Sequence, residues 1–157
     1  MPSTKRRGTN PASKTQQSYR YRGRDYPTLG FIIQTHAEVL GLPQREVEAL
    51  DLAIADSAAH KPVLTVGGDD AYPGHFAKVA AIGYTIARCH AFPDGNKRTA
   101  FLCMLMTLSW SGHHLSWDEQ LVITIMSLVA SGELTQEGLR KALLLGCGLD
   151  PNDPNAD

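Results

Sequence analysis

Residues 96–111, NKRTAFLCMLMTLSWS, constrain the chain more than any other stretch. Past Arg98 the apolar side chains fall at every angle around a helix, and no face is left for water. Such a helix is stable in a water-soluble chain only when other elements surround it. At 157 residues and 43% apolar, the sequence can build one packed core around it and no second one.

Apolar spacing supplies the surrounding helices. Thr28 to Leu40 carries Leu29, Ile32, Ile33, Ala37 and Leu40 on one face, and Gly41 ends it. Gln44 to Ala59 is opened by Pro43 and striped by Val47, Leu50, Ile54 and Ala58. Phe76 to His90 aligns Phe76, Val79, Ala80, Gly83, Ile86, Ala87 and His90. Ser116 and Glu119 form a capping box for a helix that ends near Ala130, before Gly132. Leu134 and Leu139 are spaced to staple a last helix ending near Leu145. VLTV followed by GGDD interrupts the series and reads as a short hairpin within 61–68. Strands do not alternate with helices, so the class is all-α, a compact bundle of about six helices with a short extended flap.

The two ends differ from the body. Residues 1–24 hold seven of the fifteen Lys and Arg and none of the sixteen acidic residues. Their polar composition predicts a flexible, disordered basic arm over 1–24, a folded domain over 25–147 and a frayed tail over 148–157. An acidic body excludes a dedicated nucleic-acid-binding domain and leaves only the arm for such contacts. No run is long enough to span a bilayer, and no apolar stretch follows the first charges, so a cytoplasmic protein without a signal peptide is expected. Cys89, Cys103 and Cys147 show no paired spacing, and Cys89 and Cys103 read as buried thiols in a reducing compartment. His113-His114 lacks the spacing of a metal site, and His36, His60 and His75 read as isolated surface or capping residues.

HAFPDGNKRTA, residues 90–100, carries the chemistry. Lys97 and Arg98 stand in the first turn of a helix, where the backbone is already positive and cations are unfavourable by about 0.3–1 kcal/mol each. The arrangement suits an anion. Gly95 lets a ligand approach the backbone, free amides point outward, Arg98 grips two phosphate oxygens, Lys97 adds a point charge, and Asn96 donates from its amide. Asp94 would repel a bare phosphate but suits Mg²⁺ shared with one. His90, at the end of the preceding helix, suits a base that takes a hydroxyl proton. Phe92 packs inward and pins the loop. Spacing alone equally permits caps and solvated charges at these positions.

The segment resembles the core motif of the Fic/Doc family, His-x-Phe-x-Asp/Glu-Gly/Ala-Asn-Gly/Lys-Arg. The fixed positions are met by His90, Phe92, Asp94, Gly95, Asn96, Lys97 and Arg98, and the resemblance extends over about residues 28–130. It implies ATP as donor with Mg²⁺. His90 would activate a hydroxyl on a protein target, Asp94 would hold the metal, and Gly95, Asn96, Lys97 and Arg98 would hold phosphates. Lysine at position 97 resembles the Doc toxin branch, which implies phosphate transfer to elongation factor Tu and an antitoxin partner acting in trans. Fic-type transfer of AMP, usual where glycine fills that position, and a catalytically idle module with the same fold are the alternatives. Lys61–Val66 matches the family's target-aligning flap, and Tyr72-Pro73 matches a pair common in Doc-like chains. LDLAIADSAAHKP, residues 50–62, lacks a clear copy of the Doc-like Gly-Leu-Leu-Glu-Ser-Ala segment. The self-inhibitory Ser/Thr-x-x-x-Glu-Gly/Asn pattern is absent, since Glu133 fills the Ser/Thr place before Glu137-Gly138.

Overall fold

The computed structural model describes residues 9–157. In chain order the elements are β1 (Ser18–Tyr21), β2 (Arg24–Pro27), α1 (Leu29–Leu40), α2 (Gln44–Glu48), α3 (Ala53–His60) and a 3₁₀ turn (Lys61–Val63). Then follow β3 (Thr65–Val66), β4 (Asp69–Asp70), α4 (His75–Arg88), α5 (Asn96–Trp110), α6 (Glu119–Ser131) and α7 (Gln136–Gly146). The class is all-α, as expected, with seven helices among the described residues and strands confined to two small antiparallel hairpins.

Local rules set most boundaries. Thr28 caps α1 by accepting from the Phe31 N–H at 3.2 Å, and Gly41 closes it with a φ of 64°. The stretch read as one helix over 44–59 is two. Asp51 Oδ1 accepts from the Ala53 N–H at 3.0 Å and restarts the chain as α3. The apolar stripe runs through this break, so periodicity could not reveal it. The start of α6 is likewise displaced: Asp118, not Ser116, is the cap, and its side chain accepts from the Leu121 N–H at 2.8 Å. Thr135 caps α7, with Leu134 just before it and fully buried Leu139 inside, the expected staple positions.

The centre of the bundle is α4, not α5. α4 packs against α3, α5, α6, α7 and the 3₁₀ turn and buries most of its length. It packs tightly on α5 at Gly83, where a Cβ would stand 2.2 Å from Met104 Sδ. α5 buries Thr99, Ala100, Cys103, Met104, Thr107 and Leu108, while Phe101, Leu102 and Leu105 are half-buried and Met106 is exposed. An all-apolar circumference therefore gave burial on one side and an apolar groove on the other.

Both ends depart from the expected arm and tail. Residues 1–8 of the arm lie outside the described residues. Within 9–24, β1 pairs with β2 in the register Tyr19↔Tyr26, and both tyrosines are in the core. Arg22 and Gly23 make the turn with φ of 45° and 78°. The Pro11 and Ser13 carbonyls accept from the Leu29 and Gly30 N–H groups at 2.8 and 2.9 Å, at the start of α1. At the other end the Asp157 carboxylate accepts from the Phe76 N–H at the start of α4 and pairs with Arg140 at 3.3 Å. These side chains supply what composition hides: two tyrosines to bury, and an acid for the uncapped end of α4.

Candidate active site

The sharp turn between α4 and α5 assembles the motif. α4 ends with His90 in the left-handed conformation, φ 52°, and the Ala91 N–H returns to the Ile86 carbonyl at 3.2 Å. This is the helix-ending arrangement in which glycine is usual. Gly95, φ 75°, then opens α5 without any side-chain cap. A Cβ on Gly95 would stand 3.1 Å from Leu40 and 3.3 Å from Val39, so this residue also lets the loop settle on α1. Asn96 locks the turn between them. Its Oδ1 accepts from the Phe92 N–H at 2.8 Å and its Nδ2 donates to the Phe92 carbonyl at 2.7 Å. The amide read from sequence as a phosphate donor is thus first a clamp on the loop, with its backbone N–H left at the helix start.

Phe92 is buried, as expected. The other motif side chains line a cleft of about 450 Å³ formed by His90, Pro93, Asp94, Gly95, Asn96, Lys97 and Arg98, closed by Ala87 and Ala130. His90, Asp94, Lys97 and Arg98 are exposed. Among the described residues, the side chains of His90, Lys97 and Arg98 make no hydrogen bond or ion pair. One oxygen of Asp94 accepts from its neighbour Gly95 N–H at 2.7 Å, and the other makes no hydrogen bond among the described residues. Caps and surface ion pairs would have been visible here, and they are absent among these residues. Two cations stand at an uncapped helix N-terminus beside a carboxylate and an imidazole, an arrangement suited to a polyphosphate.

The metal expectation can be tested on the donor set. No group of three His, Cys, Asp or Glu side chains among the described residues could hold an ion. A single exposed carboxylate with one free oxygen fits Mg²⁺ carried in with phosphate oxygens and water, and does not fit a site that binds metal alone.

Around the cleft several expectations change. Cys89 is exposed and only Cys103 is fully buried, where burial pushes its thiol up to about 12. Cys89 follows the last turn of α4, at its solvent-facing end. His36 and His75 are core residues rather than surface ones. His36 could have been found from its place at four-residue spacing between Ile32 and Leu40 on the buried face of α1. His75 bonds Tyr26 Oη at 3.0 Å and Ser111 Oγ at 2.6 Å, and burial drives its pKa down to about 3. Glu137 is held by Arg140 through bonds of 2.8 and 2.9 Å.

A hairpin forms, but later than the expected 61–68: Lys61–Val63 is the 3₁₀ turn, and Thr65↔Asp70 and Val66↔Asp69 flank Gly67-Gly68. Its Asp70 accepts from Tyr21 Oη at 2.7 Å and pairs with Lys78 and Arg22 at 2.8 and 2.9 Å, while Lys78 also donates to the Tyr72 carbonyl. These bonds hold Asp70 at about 2, the Lys78 hydrogen bond first among them. The hairpin is thus anchored near the N-terminal end of α4, whereas His90 is about 18 Å further along that helix at 1.5 Å per residue.

Residues 26–108 match the Fic/DOC family, more than half of the chain. The chain belongs to the Fic/DOC family. The match begins within β2 and ends within α5, so it includes α1, α4 and the whole motif turn. A curated relative, Toxin Doc of Mycolicibacterium smegmatis, is 41% identical over 73 residues, covering 46% of this chain and 56% of that protein. The chain therefore spans little more than half of that relative's length. No solved structure matches the chain. No helix among the described residues is long and apolar enough to cross a membrane.

Proposed function

We propose that this Fic/DOC protein is a Doc-like toxin that transfers the γ-phosphate of ATP to a hydroxyl of a protein target, and so arrests translation and growth. Members of the family transfer phosphate or AMP to protein hydroxyls. Elongation factor Tu is the target that the resemblance of the motif to the Doc branch offers. The observation that carries the reading is Lys97, exposed and without a side-chain partner among the described residues, beside Arg98 at the uncapped start of α5.

In this reading the polyphosphate lies against the N–H groups that open α5, with Arg98 and Lys97 neutralising its charge. Asp94 would hold Mg²⁺ together with phosphate oxygens, and the bound ion would spread the charge that builds up during transfer. His90 takes the proton of the target hydroxyl as its oxygen bonds to the γ-phosphorus. The bond from that phosphorus to the β–γ bridging oxygen breaks, and ADP leaves with the electron pair. His90, exposed at the rim of the cleft, suits a large partner better than a small enclosed substrate. The Lys61–Val66 segment expected to align the target stands toward the other end of α4, and the surface beside His90 is lined instead by Leu50, Asp51 and Ile54, so we assign the β3–β4 hairpin no part in the transfer.

An apolar groove of about 350 Å³ shares Lys97 and Arg98 with the cleft and is otherwise lined by α1, α5 and α6, through Val39, Phe101, Leu102, Val122, Ile123 and Met126. We assign it to the antitoxin. Glu137, the acid nearest in sequence to the self-inhibitory pattern, is engaged by Arg140.

ATP labelled at the γ- or the α-phosphate tests the reaction, with translation factors as acceptors. Label from the γ-position on a protein hydroxyl, lost on His90→Ala, is the expected result. Label from the α-position would replace this reading with AMP transfer. Growth arrest of equal strength from the wild type and His90→Ala would leave an idle binding module.

A further inference from the structure

Beneath the motif loop lies a histidine that the transfer chemistry does not use. His36 is fully buried on α1, and its ring stacks on Phe92 with centroids 3.8 Å apart and planes 7° from parallel. Its Nδ1 is 3.1 Å from Thr99 Oγ1 in the first turn of α5. Its Cε1 is 3.4 Å from where a Cβ on Gly95 would stand. One imidazole thus touches the loop, the glycine that opens α5, and the first turn of that helix.

Packing alone does not account for this side chain. Nε2 is buried without a hydrogen-bond partner among the described residues, whichever tautomer serves Thr99. A buried unpaired ring nitrogen costs stability, and phenylalanine would stack on Phe92 without that cost. The gain from histidine is the Nδ1–Thr99 bond. It ties α1 to the helix turn that presents the amides of Asn96, Lys97 and Arg98.

We propose that His36 is a positioning residue for phosphate binding: its bond to Thr99 and its stack on Phe92 fix the loop 91–95 against the start of α5, and so fix the aim of Asp94, Lys97 and Arg98. The inference rests on the phosphate reading of the cleft. Burial lowers the His36 pKa, partly offset by the Asp94 carboxylate.

Three forms of the full chain separate positioning from packing: His36→Phe, which keeps a stacking ring and removes both nitrogens, Thr99→Val, which removes the partner at nearly constant volume, and the double variant. Each is melted and titrated with MgATP by calorimetry. His36→Phe should melt within a few degrees of the wild type yet bind MgATP at least five-fold more weakly. Thr99→Val should weaken binding similarly, and the double variant no more than either, because all three lose the same tie. Variants that bind like the wild type would overturn the inference and leave the phosphate reading intact. A wild type that does not bind MgATP would overturn the phosphate reading itself, and the inference with it. Should His36→Phe fail to fold, Thr99→Val decides alone: unchanged binding rejects the tie, and five-fold weakening supports it.

Discussion

His90 is held in a backbone conformation that costs free energy. A left-handed φ of 52° is disfavoured by roughly 1–2 kcal/mol for a residue with a Cβ, and the helix-ending turn around it would suit glycine better. That cost is explained if the imidazole itself is required at the rim of the cleft. His90→Gly should then raise stability by about 1 kcal/mol, moving Tm up by roughly 2–4 °C, while transfer falls by two to four orders of magnitude. Thermal melts paired with single-turnover assays check this; a variant both less stable and still active would contradict it. The chemical residues were legible because their meaning lies in types and spacing along nine consecutive positions. The loop-clamping role of Asn96 and the contacts of His36 with Thr99 and Phe92 were not. Each depends on a partner that the folded turn or a distant helix brings near.

Among the elements, the β3–β4 hairpin is the one whose position rests on a few strong interactions. Lys78 has a side chain only 3% exposed, and its charge is balanced by Asp70. Removing the acid strands a buried cation, which typically costs about 3–5 kcal/mol; removing the cation leaves Asp70 with Tyr21 and Arg22. Asp70→Ala should therefore destabilise the chain more than Lys78→Met does, as read by urea unfolding, and equal losses would refute the asymmetry. The groove on α5 and α6 yields a second expectation at this scale. Ile123 is 53% exposed, so Ile123→Glu should leave stability and toxicity near wild type while abolishing neutralisation by the antitoxin. Co-expression growth assays measure this, and full neutralisation of the variant would remove the groove from consideration. The helices were legible from their apolar stripes. The β1–β2 hairpin was not read from the sequence, although tyrosine and arginine alternate through SYRY before an Arg-Gly turn. Its basic composition concealed the two-residue period that buries Tyr19 and Tyr26.

At the scale of the molecule, the fold keeps buried imidazoles neutral. Burial lowers the pKa of His75 to about 3, and lowers those of His36 and His113 in the same direction. Below about 6.5 the unfolded chain takes up protons that folded His75 refuses, so stability is full above that value and declines as pH falls toward 3. The slope due to His75 should approach 1.4 kcal/mol per pH unit. Urea unfolding at pH 6.5 and 5 should show a smaller loss for His75→Gln than for the wild type, and parallel losses would contradict the assignment. The all-α class followed from one helix without a polar face, but which helix is central did not. α5 is apolar on all sides because one side faces the core and another lines the groove. α4 is central because five other elements converge on it.

The central claim is that the start of α5, with Asp94, Lys97 and Arg98, is a seat for a magnesium-bound polyphosphate. Calorimetric titration of MgATP into the full chain, the same titration without Mg²⁺, and the titration of Arg98→Ala test it most directly. The account expects saturable one-to-one binding that depends on Mg²⁺ and weakens at least ten-fold in Arg98→Ala, as loss of a charge-assisted hydrogen bond of about 1.5–3 kcal/mol requires. Binding of equal strength in Arg98→Ala, or no binding by the wild type with Mg²⁺ present, would contradict it.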